Sequence, residues 1–79
     1  NPVTNLLFDL PYDAHVSLTV YDLLGREVAR LVNGFLEAGY KSAKWNGTNG
    51  FGKPVSAGVY VYRIQTGKFT QTKKMVLLK

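Results

Sequence analysis

Val59-Tyr60-Val61-Tyr62-Arg63-Ile64-Gln65-Thr66 is β-branched or aromatic at six of its eight positions. Such side chains lose rotamer freedom in a helix and pack well on a pleated surface, so this is the strongest strand in the chain. Gly67 turns the chain, and Phe69 to Leu78 runs back as the final strand. On the other side, Asn46 to Gly58 holds Asn46-Gly47, Asn49-Gly50, Gly52, Pro54 and Gly58, and reads as an ordered loop rather than a linker.

Further toward the N-terminus the same alternation of strand and turn continues. Tyr40 to Trp45 reads as a strand with Lys41 and Lys44 at the surface. Val3 to Leu10 is the first strand, ended by Leu10-Pro11, which biases the chain out of regular pairing. In the second, His15 to Asp22, the residues Val16, Leu18 and Val20 alternate with Ser17, Thr19 and Tyr21, the period of a half-buried strand. Asp22-Leu23-Leu24-Gly25 is a tight turn in which Gly25 supplies a positive φ. Arg26 to Val32 pairs back as the third strand, but Val28, Leu31 and Val32 do not share one face, which predicts a bulge or a partly helical turn. Fair helix propensity in Arg26-Glu27-Val28-Ala29-Arg30-Leu31 makes this the one segment where a helix competes. Asn33-Gly34, the dipeptide preferred by two-residue hairpin loops, is expected to close the strand, leaving Phe35 to Ala38 as a short edge segment before Gly39. About seven short strands with frequent turns predict an all-β sandwich, with no helix of ordinary length and no internal repeat.

The chain has 79 residues, enough for one domain and not two. A domain this short buries only about 60–65% of the surface its unfolded chain exposes, so most inward-pointing side chains must serve packing. Hydrophobic residues at 46% against 19% charged place it among globular chains. With no cysteine, disulfides, thiolate metal sites and a cysteine nucleophile are excluded, and cohesion rests on packing and strand pairing. The net charge of +5 fits an anionic partner, but the lysines and arginines are spread from Arg26 to Lys79 with no run longer than Lys73-Lys74, so nucleic acid is not an expected partner. No stretch approaches the roughly 20 apolar residues of a membrane helix. Asn1-Pro2-Val3-Thr4 lacks the features of a signal peptide and an initiator methionine, as expected of a piece of a longer chain.

Catalytic constellations are not expected. The single His15 begins a strand without a Ser or Asp partner at workable spacing and reads as a surface or turn residue. The acids Asp9, Asp13, Asp22, Glu27 and Glu37 show no sign of the facing pair, or of the cleft, that glycoside hydrolysis needs. Asn46-Gly47-Thr48-Asn49-Gly50 has the look of a calcium loop but no carboxylate, and its asparagines read as left-handed turn positions. Gly50-Phe51-Gly52-Lys53 lacks the spacing of a phosphate loop, and Asn46-Gly47-Thr48 fits a glycosylation sequon that matters only in a eukaryotic secretory pathway. Trp45, Phe51 and Tyr62 are candidates for stacking on sugar rings, although a lone Trp at a strand end more commonly anchors the core. The chain is therefore expected to be no enzyme and to need no cofactor or metal.

Taken in order, the motifs form a recognisable set. Asn1-Pro2, Phe8-Asp9-Leu10-Pro11 and Val20-Tyr21-Asp22-Leu23-Leu24-Gly25-Arg26-Glu27-Val28 resemble the start of a C-terminal sorting domain of the bacterial type IX (Por) secretion system, type A. The resemblance continues through Trp45-Asn46-Gly47, Gly52-Lys53-Pro54-Val55 and Gly58-Val59-Tyr60-Val61-Tyr62-Arg63-Ile64 to the basic-apolar-basic end Lys73-Lys74-Met75-Val76-Leu77-Leu78-Lys79. Over Val20 to Ile64 the chain is also similar to the immunoglobulin-like domain of flagellar hook-capping proteins. Both resemblances imply an immunoglobulin-like β-sandwich of about seven short, mainly antiparallel strands, a single domain over residues 1–79.

The sorting-domain resemblance implies a secretion-targeting role. An upstream cargo in the same chain would cross the periplasm and reach the cell surface or the medium, with outer-membrane secretion machinery and a sortase-like peptidase as partners. Lys73, Lys74, Met75, Val76, Leu77, Leu78 and Lys79 would then be the recognition strand, offering backbone groups and alternating side chains to a partner. Gly25, Trp45, Gly58 and Tyr60 would be family motif positions with structural roles, in turns and core. The alternative is a structural or adhesive, carbohydrate-binding, immunoglobulin-like module.

Overall fold

In the computed structural model, which describes residues 3–78, six strands form two antiparallel sheets and no helix occurs among the described residues. They are β1 (Thr4–Leu10), β2 (Ala14–Tyr21), β3 (Glu27–Leu36), β4 (Gly39–Trp45), β5 (Gly58–Gln65) and β6 (Thr70–Leu77). A four-stranded sheet has the order β3-β2-β5-β6, and β1 pairs with β4 in a second sheet of two strands.

The chain changes sheet three times. It crosses after β1 through Pro11 to Asp13, returns after β3 at Glu37-Ala38, and crosses again through the long loop before β5. The first two crossings are fastened together, because the Asp13 carboxylate accepts the Ala38 N–H at 2.8 Å.

Alternation decides what goes inside. Leu6, Phe8 and Leu10 of β1 face Val16, Leu18 and Val20 of β2 and Tyr60, Tyr62 and Ile64 of β5 in one buried cluster. Trp45 closes the end of β4 and Leu77 the end of β6. The Tyr62 hydroxyl donates to the Leu7 carbonyl at 2.9 Å, a polar tie between the two sheets. Burial pushes the Tyr62 phenol pKa up.

Two expectations change. Phe35 to Ala38 is not a separate seventh strand, and Asn33-Gly34 is not a hairpin loop. β3 runs through both residues, with Asn33 opposite Ser17 and Gly34 opposite Val16, as far as Leu36 opposite Ala14. β2 is long enough to satisfy their backbone groups in the ladder, and a turn signal acts only where pairing stops. The chain turns later, at Gly39, whose φ of 136° suits glycine.

The irregularity expected in the third strand takes the form of bulges and not of a helical turn. The register shifts between Leu18 and Thr19 and again between Val20 and Tyr21, leaving Leu31 and Val28 of β3 unopposed. These extra residues let Ala29 turn into the core while Arg30, opposite Thr19, stays outside.

Candidate functional site

The loop from Asn46 to Ala57 is stiff because it makes its own hydrogen bonds. The Asn49 side-chain oxygen accepts Phe51 N–H at 2.9 Å and Lys53 N–H at 3.1 Å. Asn49 N–H donates to the Lys53 carbonyl at 2.8 Å, and Val55 N–H to the Gly47 carbonyl at 2.9 Å. Thr48 and Pro54 form an isolated antiparallel bridge. Among the described residues no non-glycine residue has positive φ, so the expected left-handed asparagines of this loop are absent: Gly47 (φ 76°) and Gly52 (φ 77°) supply those turns. The asparagines act through their side chains, and Asn46 Oδ1 accepts the Thr48 hydroxyl at 2.6 Å.

Three hydrogen bonds fix this loop on the sandwich, one of them from the Tyr60 hydroxyl to the Ser56 carbonyl at 2.6 Å. The Trp45 indole donates to the Thr48 carbonyl at 2.8 Å. Gly50 N–H donates at 3.0 Å to the carbonyl of Val28, the residue that the second bulge leaves without a cross-strand partner. The bulged strand thus binds the loop at one point and stands off from it elsewhere.

Between them lies a cleft of about 560 Å³. Sequence reasoning gave no sign of it, because it depends on where the bulges fall. Val3 and Leu31 supply its accessible apolar surface over the buried Ala29 and Trp45, while Arg30, Lys44, Asn46, Thr48 and Asn49 supply its polar groups. Among the described residues no carboxylate side chain lines it. Among the described residues no three His, Cys, Asp or Glu side chains gather to hold a metal ion.

The motif positions separate into core and turns. Trp45 is 1% exposed and packs edge-on against Tyr60, ring centroids 5.2 Å apart. Tyr60 is buried and donates to the Ser56 carbonyl at 2.6 Å. Gly25 (φ 83°) sits in the turn after β2 and Gly58 (φ 147°) opens β5, both at positive φ that other residues adopt at a cost. Of the three sugar-stacking candidates, Trp45 takes the core position expected of a lone Trp at a strand end, and Tyr62 is corrected to a core residue, 6% exposed with its hydroxyl on the Leu7 carbonyl. Only Phe51, 89% exposed at the loop tip, offers a ring face to solvent. His15 is exposed on β2.

The C-terminal segment divides by register. β6 pairs with β5 on one side only, so its other edge is open. Lys74, Val76 and Leu78 are exposed. Lys73 is half-buried with its ammonium 3.5 Å from the Leu7 carbonyl, and Met75 is half-buried against the core. Leu77 is 2% exposed and belongs to the core, so a partner meeting docked β6 would not touch it. Lys79 lies outside the described residues.

A family model described as the FlgD Ig-like domain matches residues 3–68. The crystal structure of FlgD from P. aeruginosa is similar to the chain with a TM-score of 0.78 and 28% identity, over 96% of this chain. The chain spans 60% of the length of that structure. No curated protein matches it. Among the described residues no helix is long and apolar enough to cross a membrane.

Proposed function

The chain belongs to the FlgD Ig-like domain family, and from that premise we propose that it is a structural immunoglobulin-like module serving a larger protein. The match over residues 3–68 carries this reading. Its physical support is the use made of the chemistry-bearing side chains: Trp45, Tyr60, Tyr62, Asn49 and Asp22 are all committed to holding turns, loop and sheets. What is left for the surroundings is surface, strand edge and cleft, the equipment of a module that positions or adheres. No reaction is assigned to it, and its place in the protein, whether over residues 1–79 or more, is that of one module.

A second reading is favoured by one observation. β6 is an edge strand with Lys74, Val76 and Leu78 exposed, and it lies beyond residue 68, outside the family match. Such an edge is suited to strand addition, the means by which secretion machinery would read a C-terminal sorting domain in the periplasm before delivering its cargo to the surface or the medium.

Mass spectrometry of the mature protein from its own cells separates the two. A structural module stays attached, so peptides from β5 and β6 are recovered from the mature product at the same abundance as upstream peptides. A mature product lacking them overturns the structural reading in favour of sorting. In that event, replacing Lys73 and Lys74 by Ala at unchanged melting temperature is expected to block export.

A further inference from the structure

The polar groups around the cleft are unusually one-sided. Asn49 Oδ1 is occupied by two backbone N–H groups, which fixes the amide orientation and leaves Nδ2 as its available group. Asn46 Oδ1 is occupied by the Thr48 hydroxyl, and the Thr48 carbonyl by the Trp45 indole. Lys44 forms no ion pair among the described residues, and Arg30 has only a 3.5 Å contact with Glu27, both side chains half exposed. The cleft therefore presents two cations and two amide N–H₂ groups, while the Asn46 and Asn49 Oδ1 acceptors already hold hydrogen bonds within the loop. What complements it is a ligand rich in acceptor oxygens and negatively charged.

Size and wall narrow the ligand class. About 560 Å³ is far more than an inorganic anion fills and lies within the ordinary range for small-molecule sites. Val3, 51% exposed, and the half-buried Leu31 offer apolar surface to the C–H face of a sugar ring, which a bare phosphate does not possess. The loop is held in shape by its own hydrogen bonds and by Gly50 on Val28, so little ordering is needed on binding. We propose that this cleft binds an acidic saccharide, its carboxylate between Arg30 and Lys44 and its hydroxyls on Asn46 and Asn49. The site does not depend on whether the module is retained in the mature protein.

The test is a titration of the chain with a uronic-acid oligosaccharide, its neutral counterpart and inorganic phosphate, followed by NMR. The chain has one Trp, so the indole N–H of Trp45 is an unambiguous reporter, alongside the amides of Gly50 and Gly52. The acidic oligosaccharide is expected to shift all three, and the neutral one to bind at least about tenfold more weakly, as loss of a charge-assisted contact implies. Arg30→Gln and Lys44→Gln are each expected to weaken binding by about tenfold at unchanged melting temperature. Lys53→Gln removes the same charge from a residue outside the cleft and is expected to leave binding nearly unchanged. Equal binding of the neutral sugar, equal shifts with phosphate alone, an equal loss from Lys53→Gln, or no shift of the three reporters would each overturn the proposal.

Discussion

Asp22, just after β2, has a carboxylate that accepts three hydrogen bonds, from Leu24 N–H at 3.0 Å, Arg26 N–H at 2.9 Å and Arg26 Nε at 2.8 Å. These partners, the Arg26 N–H first, hold its pKa below the usual carboxylate value. The ion pair itself contributes little, because the Arg26 side chain is 74% exposed. A depressed folded-state pKa gives stability that is present above the unfolded value of about 3.9 and is lost as pH falls through the folded value. Asp22→Asn is therefore expected to melt below the natural chain near neutral pH, with the gap closing as pH drops under about 4. Melting curves across that range check it, and a gap that stays constant with pH would mean the charge is irrelevant. Gly25, φ 83° in the same turn, completes a device legible from Asp22-Leu23-Leu24-Gly25 alone, because each group involved lies within four residues of the carboxylate.

β6 shows how one element serves two masters. Met75 and Leu77 face inward, while Val76 and Lys74 face solvent along an unpaired edge that charged side chains help to keep from pairing indiscriminately. Leu77→Ala is expected to cost about 2–5 kcal/mol, as for other large-to-small core changes. Val76→Thr, which keeps β-branching at an exposed site, is expected to stay within about 0.5 kcal/mol. Denaturant titrations compare them directly; similar costs would show that the strand's sides are not inequivalent as described. Val59 to Thr66 and Phe69 to Leu78 were legible within a residue or two of β5 and β6 because alternation and composition agreed. β3 was less so. Its extension through Asn33-Gly34 is decided by the length of β2, and the location of its bulges by register against β2, neither of which is a local property. The cleft inherits that difficulty: Arg30 and Lys44 carry no motif, and only the bulged register and the folded loop bring them to one wall.

At the scale of the whole molecule, the question is whether two sheets of such unequal size behave as one unit. β1 and β4 pair over seven positions, from Thr4 opposite Trp45 to Leu10 opposite Gly39, and a two-stranded sheet alone is marginal in water. Its persistence depends on burying Leu6, Phe8, Leu10 and Trp45 against β2 and β5, and on the tie from Tyr62 to the Leu7 carbonyl. Conversely, stripping away β1 and β4 would open Val16, Leu18, Val20 and Ile64, each at most 1% exposed, to water. On these grounds the two sheets are expected to open together. Native-state hydrogen exchange is expected to show the paired amides of β1 and β4 merging with those of β2 and β5 on one denaturant-dependent opening, while the outer amides of edge strand β6 exchange earlier. An opening confined to β1 and β4, with a much smaller denaturant slope, would refute that coupling and leave the four-stranded sheet as an independent folding unit.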